Sequence, residues 1–513
     1  MSRSFFFFIL LSLLLPGYAF AQNAAEVPAI DAIFQRYHQF EHFEGAVLVA
    51  KKGQVIYKKA FGQANREWDI PNQVDTRFDI ASISKQFTAL LILQLYEEGK
   101  LHPDSTISAY LPAFRSDVGK KVSIHHLLTH TSGIPNYTSL PYVWSDSLIN
   151  RYASDELIAK FCSGNLEFEP GSRYSYNNTG YFLLSVIAEE VSGRPFDQLI
   201  REKILKPLRM PDSGIDDRDE IIKRRAYGYE LNDGVFTNAR PMYMANLQGA
   251  GNMYATVEDL YRWDRALDRQ ELISPNGHDA LMSSYTPPGE NWIPPYRHTY
   301  GYGVGLTEVS RPDGSKMPMV FHSGHITGFS SFIARFTEDD HLVVMLSNIG
   351  KLSTARMNEI AQEVKNLLYE DAESKAGYEP AAQAETADNA GLRNRLFAAA
   401  QQGGPEAAVR QYYQLKQDFP YQYRDTESEL VLLAEDLRNS NMDAAALQIL
   451  WLNARVNPNW RTFYQLAESL SAAQQSDSAA TFYKKSMRVN PRQSREQKQA
   501  FQQSEHILHQ LNQ

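Results

Sequence analysis

The stretch Phe78-Asp79-Ile80-Ala81-Ser82-Ile83-Ser84-Lys85-Gln86-Phe87-Thr88-Ala89-Leu90-Leu91-Ile92-Leu93-Gln94-Leu95 is the most informative run in this 513-residue chain. From Ser84 to Glu98 it reads as a helix: Phe87, Leu90, Leu91 and Leu95 share a face at i, i+3, i+4 and i+8, and Gly99 closes it. Gln94 interrupts that face at i+7. Ser82 and Lys85 stand one turn apart at the helix entrance, so the amine and the hydroxyl point the same way. Upstream, Ala46-Val47-Leu48-Val49-Ala50 and Val55-Ile56-Tyr57 flank the turn Lys52-Gly53 as a hairpin. Downstream come helical stretches at Ser123 to His130 and Gly180 to Val191. They are followed by two strands, Ser330 to Phe336 and Leu342 to Leu346, about the Asp339-Asp340 turn, and by a helix from about Thr354 to Tyr369. Strands at both ends with helices collected between them predict an α+β fold. One antiparallel sheet is built from N- and C-terminal strands around a largely helical insertion, which brings distant residues to one sheet edge.

The flanks of this domain have a different texture. Arg3, an apolar run from Phe5 to Leu15 and the small-residue site Ala19-Phe20-Ala21 read as a signal peptide over residues 1–21, cut before Gln22. That predicts an exported protein, periplasmic or secreted, with no membrane span in the mature chain. The domain built around Phe78 to Leu95 is placed at 22–369. Residues 370–390 are acidic and Ala-rich without an apolar period and read as a linker. Residues 391–513 read as an all-α domain. There Val456-Asn457-Pro458 and Val489-Asn490-Pro491 recur 33 positions apart, each closing a helix pair, which resembles tetratricopeptide repeats. A formal net charge of −9 and the absence of a basic stripe argue against a nucleic-acid partner. Cys162, the only cysteine, excludes an intramolecular disulfide and reads as a buried small hydrophobe.

Two further elements carry chemistry. Tyr176-Asn177-Asn178 lies at a loop-to-helix junction, where a phenol near a lysine can be partly ionised and shuttle a proton between nucleophile and leaving group. Asn178 can donate to a substrate carbonyl. Phe321-His322-Ser323-Gly324-His325 precedes the late hairpin. Gly324 there lets substrate backbone approach the strand edge, and an exposed N–H beside it, paired with that of Ser82, forms an oxyanion hole.

S-x-x-K, then Y-x-N, then H-x-G in that order resembles the class C β-lactamase superfamily, which also holds D-alanyl-D-alanine carboxypeptidases, D-aminopeptidases and esterases. Phe78 to Ala81, Ile124 to Gly133, Ala250-Gly251-Asn252-Met253-Tyr254 and Gly301-Tyr302-Gly303 match in style, and the resemblance covers roughly Ile30 to Tyr369. It implies Ser82 as acylated nucleophile, Lys85 as its proton partner and Tyr176 as general base and acid. Asn178 then binds the substrate amide or ester, and His325 completes the oxyanion hole through its backbone N–H. His322 takes the position of the family's Lys or His. Because histidine is mostly neutral at pH 7, it offers no fixed charge for a carboxylate, and its protonation as pH falls is expected to favour carboxylate-bearing substrates.

His126 and His130 sit at i and i+4, a zinc-compatible spacing, without the glutamate or third ligand that a zinc site needs; no metal and no cofactor is expected. The sequence therefore predicts a serine hydrolase acting through an acyl-enzyme on a small ester, a D-amino-acid peptide or amide, or a β-lactam. The helical repeats offer a surface for a protein partner. The alternative is a catalytically inactive peptide-binding or envelope scaffold protein that works through those repeats.

Overall fold

The structure, a computed structural model, describes residues 15–39, 43–140, 148–216, 219–232, 235–286, 298–311, 313–350, 354–369, 392–418, 427–488, 504 and 507. The chain forms two compact units, residues 1–382 and 383–513.

The first unit is built on a seven-stranded antiparallel sheet of β1 (Gly45–Lys51), β2 (Gln54–Phe61), β3 (Thr299–Tyr300), β4 (Gly305–Ser310), β5 (Lys316–Ile326), β6 (Phe329–Phe336) and β7 (His341–Ser347). The order across it is β3-β4-β5-β6-β7-β1-β2. N- and C-terminal strands thus pair within one sheet, with Val47 of β1 opposite Met345 of β7, as the α+β reading requires. Both faces of β1 and β7 are covered, which is why these two strands read as apolar runs instead of alternating ones. Ala46, Leu48, Val344 and Leu346 enter a core shared with the helical insertion. Val47, Val49, Val343 and Met345 face the other way, onto α1 (Leu15–Gln39) and α6 (Thr354–Tyr369).

Helix α1 is an element the sequence reading did not assign. Ile30, Ile33, Phe34 and Tyr37, at i, i+3, i+4 and i+7, are buried against the sheet. The expected cleavage point before Gln22 falls inside this helix, and residues 1–14 of the leader lie outside the described residues. Among the described residues no helix is long and apolar enough to cross a membrane.

Within the insertion, α2 (Ser84–Glu97) is buried from Ser84 to Leu93, so its apolar stripe is wider than the sequence suggested. Gln94 is accommodated because its amide donates to the Leu272 carbonyl at 3.1 Å. Helix α3 (Ile124–Leu128) is capped by Ser123 and stops two residues before His130, whose φ of +59° leaves helical space. Helices α4 (Asn178–Ser192) and α5 (Val257–Asp268) complete the body around α2.

The second unit is all-helical: α7 (Leu392–Asp418), broken at Gly404, then α8 (Glu427–Asn439), α9 (Asp443–Val456), α10 (Trp460–Ala472) and α11 (Ser476–Arg488), around a core of its own. Asn459 caps α10 just after Val456-Asn457-Pro458. The second Val-Asn-Pro and the expected linker at 370–390 lie outside the described residues.

Candidate active site

Ser82 sits in a single 3-10 turn, Ala81–Ile83, that feeds α2. Ala81 has a φ of +46°, a conformation that costs energy for a residue with a Cβ and that places strain directly before the nucleophile. The turn is fixed on three sides. Upstream, Phe78–Asp79 pairs with Tyr254–Ala255, and the Ile80 N–H donates to Met253 O at 2.9 Å. Within the turn, Ser84 Oγ donates to Ala81 O at 2.6 Å and accepts from Met253 N–H at 3.1 Å. On the sheet side, Ser331 Oγ donates to Ile80 O at 2.7 Å. Ser82 alone in Ala81–Leu93 keeps partial solvent exposure.

Lys85 is completely buried. Its Nζ donates to Asn178 Oδ1 at 2.7 Å and to Ala250 O at 2.6 Å, and lies 3.1 Å from Ser82 Oγ. Burial holds the ammonium well below its ordinary range. A neutral amine has two N–H bonds and one lone pair. Asn178 and Ala250 present only acceptor oxygens, so when the amine is neutral they take both N–H bonds and the lone pair faces the Ser82 hydroxyl. The arrangement can accept the serine proton. Sequence reading missed the Ala250 carbonyl, although Ala250-Gly251-Asn252-Met253 was noted as a phrase.

Tyr176 faces the same point. Its ring lies 4.8 Å from Lys85 Nζ and 4.4 Å from the His130 ring. Burial raises the phenol above its ordinary pKa, and a hydrogen bond with Ser82 opposes that only in part. Burial thus works against the partly ionised phenol that was expected and suits Tyr176 to giving a proton. Asn178 Oδ1 serves Lys85 and its Nδ2 donates to Thr138 Oγ1 at 2.8 Å, so the amide orients the lysine and keeps one N–H for a further acceptor.

On the sheet edge, β4 pairs with β5 only as far as Phe321, and the following stretch, His322 to Ile326, faces the nucleophile turn. Gly324 is needed there for a different approach from the one anticipated. A Cβ at this position would meet Ile80 O at 2.3 Å and Ala81 Cβ at 3.0 Å, so the glycine admits the chain's own nucleophile turn, not substrate backbone. His325, next along, is exposed and in register with Ser330.

His322 is buried, with Nδ1 2.6 Å from Ser323 O and Nε2 2.9 Å from the Tyr300 hydroxyl. A carbonyl only accepts, so Nδ1 carries the proton and Nε2 accepts from Tyr300. Burial pushes the imidazole down to about 3. The histidine expected to be mostly neutral at pH 7 is thus pushed further from protonation, and the ring acts as a neutral strut. Tyr300 was not singled out in the sequence, although its neighbours Gly301-Tyr302-Gly303 were.

The two remaining histidines of the zinc spacing part company. His126 Nδ1 accepts from the Ser123 N–H in the cap of α3, while His130 lies beyond that helix among Tyr174, Tyr176, Tyr181 and Tyr300. Cys162 is fully buried and burial raises its thiol.

A family profile described as Beta-lactamase matches residues 30–365. The chain belongs to the beta-lactamase family. Penicillin-binding protein 4* of Bacillus subtilis (strain 168) is 31% identical over 334 residues, covering 62% of this chain and 71% of that protein. The crystal structure of a penicillin-binding protein from Bacillus halodurans is similar with a TM-score of 0.55 at 29% identity, over 64% of this chain and 99% of that one. A D-amino acid amidase from Ochrobactrum anthropi SV3 shares the fold with a TM-score of 0.54 at 22% identity, over 68% of this chain and 98% of that one. Beta-lactamase family members are serine hydrolases, and the serine, lysine and tyrosine described above lie inside the matched region.

Proposed function

We propose that this protein is an exported serine hydrolase that transfers an acyl group from a neutral ester, or from a D-amino-acid amide without a free carboxylate at the scissile bond, first to Ser82 and then to water. The observation that carries this reading is the buried Lys85 amine, driven toward its neutral form by burial, with Asn178 Oδ1 and Ala250 O as acceptors and Ser82 Oγ 3.1 Å away. In the acylation step Lys85 takes the Ser82 proton as Oγ attacks the carbonyl carbon. The developing oxyanion is received by the N–H groups of Ser82 and His325, and Tyr176 protonates the leaving oxygen or nitrogen as the bond breaks. Water then repeats the sequence in reverse roles, releasing the acid and restoring Ser82.

Substrate preference follows from His322. A neutral imidazole whose two nitrogens are engaged gives a carboxylate no partner, which places β-lactams and carboxylate-bearing peptides below neutral acyl compounds. Export rests on the leader pattern of residues 1–21, and the helical unit is assigned to a protein or peptide partner.

The test compares a neutral acyl ester with the same ester carrying a carboxylate beside the scissile bond, between pH 5 and 8. The neutral ester is expected to have the higher kcat/KM with a ratio that does not change with pH, since His322 stays neutral throughout, and His322→Lys should narrow the ratio. A wild-type preference for the carboxylate, or a carboxylate advantage that grows as pH falls, contradicts this assignment.

A further inference from the structure

His130 belongs to none of the three motifs, yet the loop that carries Tyr176 is built on it. The peptide N–H on either side of Tyr176 ends on this one residue: Ser175 N–H donates to the His130 carbonyl at 2.8 Å, and Asn177 N–H donates to His130 Nδ1 at 3.0 Å. The imidazole also lies against the phenol it brackets, ring centres 4.4 Å apart, and against Tyr300 at 4.7 Å, the residue that donates to His322.

We infer that His130 is the positioning residue of Tyr176, holding the backbone on both sides of it and the face of its ring so that the phenol is aimed at Ser82. The inference rests on the reading of Tyr176 as proton donor given above.

Three features separate this from ordinary packing. His130 is 1% exposed and takes a φ of +59°, a left-handed conformation that histidine tolerates better than most side chains, and that ends α3 early. Because Nδ1 accepts, the neutral ring carries its proton on Nε2. That N–H has no hydrogen-bond partner among the described residues, so the polar side chain is retained for the bond its other nitrogen makes. Burial holds the imidazole well below its ordinary range, which keeps the Nδ1 lone pair available to Asn177. An apolar residue of the same size could fill the space among the tyrosines but could not accept from Asn177. The neighbouring residues reinforce the same loop: Asn136 Oδ1 accepts from Asn178 N–H at 3.1 Å, and Thr179 Oγ1 donates to Pro135 O at 2.7 Å.

The experiment uses the full-length protein and two esters of one acyl group, a p-nitrophenyl ester whose leaving group needs no proton and an ethyl ester whose leaving group does. A misaimed proton donor is felt by the second far more than by the first. His130→Phe keeps a ring and removes the acceptor; it is expected to lower kcat/KM for the ethyl ester by about 100-fold and for the p-nitrophenyl ester by less than about 10-fold. His130→Asn restores an acceptor oxygen at the Nδ1 position and accepts the left-handed backbone, and it is expected to regain at least about 10-fold of the ethyl-ester loss. Should the phenylalanine variant not fold by circular dichroism, His130→Ala takes its place against His130→Asn with the same expectation. Equal losses on both esters, or no gain from asparagine, overturn the inference and leave His130 as packing. Tyr176→Phe, measured alongside, separates the two claims. If it shows no ethyl-ester-specific loss, the role given to Tyr176 is wrong. If it shows that loss while the folded His130 variants do not, only the role given to His130 is wrong.

Discussion

Replacing Gly324 by alanine adds one methyl group at the point where the sheet edge touches the nucleophile turn. Built on the existing backbone, the new Cβ lies 2.3 Å from Ile80 O, 2.3 Å from Ser331 Oγ and 3.0 Å from Ala81 Cβ. The first two are roughly 1 Å inside ordinary contact. Ser331 can rotate away, at the loss of its 2.7 Å bond to Ile80 O. The Ile80 carbonyl cannot, because the same residue's N–H is tied to Met253 O and the strand before it is paired with Tyr254. Relief must therefore come from moving Ile80–Ser82 as a unit by about 1 Å. Overpacking of this kind costs about 1–3 kcal/mol of stability, and a 1 Å displacement of a reacting group costs about 100-fold in rate. Gly324→Ala should thus remain folded with a lowered melting temperature, and lose about 100-fold in kcat on a neutral ester. Steady-state kinetics, a thermal melt and labelling of Ser82 by a fluorophosphonate measure the three consequences together. A variant with wild-type kcat and an unchanged melt refutes the argument that this glycine exists to admit the nucleophile turn.

Two other outcomes follow from the same structure. Lys85 is driven toward its neutral form by burial, so the folded state binds fewer protons than the unfolded state between the lowered folded pKa and the ordinary value near 10.5. The resulting penalty is absent above pH 10.5 and grows as pH falls, so the melting temperature of Lys85→Met relative to wild type should drop as pH rises from 7 toward 10; a pH-independent difference denies that Lys85 is depressed. Since the second unit has its own core, a chain ended just after Tyr369 should turn over a small ester within about 3-fold of the full-length rate. Loss of turnover in a folded truncate would show that the repeats complete the active site.

The central strands β1 and β7 were legible because burial on both faces turns them into apolar runs, whereas β3, β4 and β5, partly exposed, were not assigned; Thr354–Tyr369 was legible because one helical stripe meets one sheet face. The helix at Ser123–His130 was read two residues too long at its C-terminal end, since nothing in Leu127-Leu128-Thr129-His130 announces the left-handed turn that the tyrosine cluster imposes. Helix α1 was missed because the leader pattern drew its first half into another reading. In the site, Ser82, Lys85 and Tyr176 were legible as side-chain chemistry at fixed spacing. The Ala250 carbonyl was not, because a backbone acceptor leaves no signature in residue type. The charge states of Tyr176 and His322 were not either, because they depend on how deeply tertiary packing buries them. Gly324 was rightly marked as a close approach, but sequence alone could not say what approaches.

The central claim is that Ser82 becomes acylated. Intact-mass measurement after mixing the protein with a slowly hydrolysed neutral acyl ester, followed by peptide mapping, addresses it without assuming the natural substrate. The account predicts one acyl increment on the peptide holding Ser82, disappearing as product forms, and neither increment nor turnover in a Ser82→Ala protein with an unchanged melting temperature. An acyl group mapped to another residue, or full turnover by the Ser82→Ala protein, would contradict it.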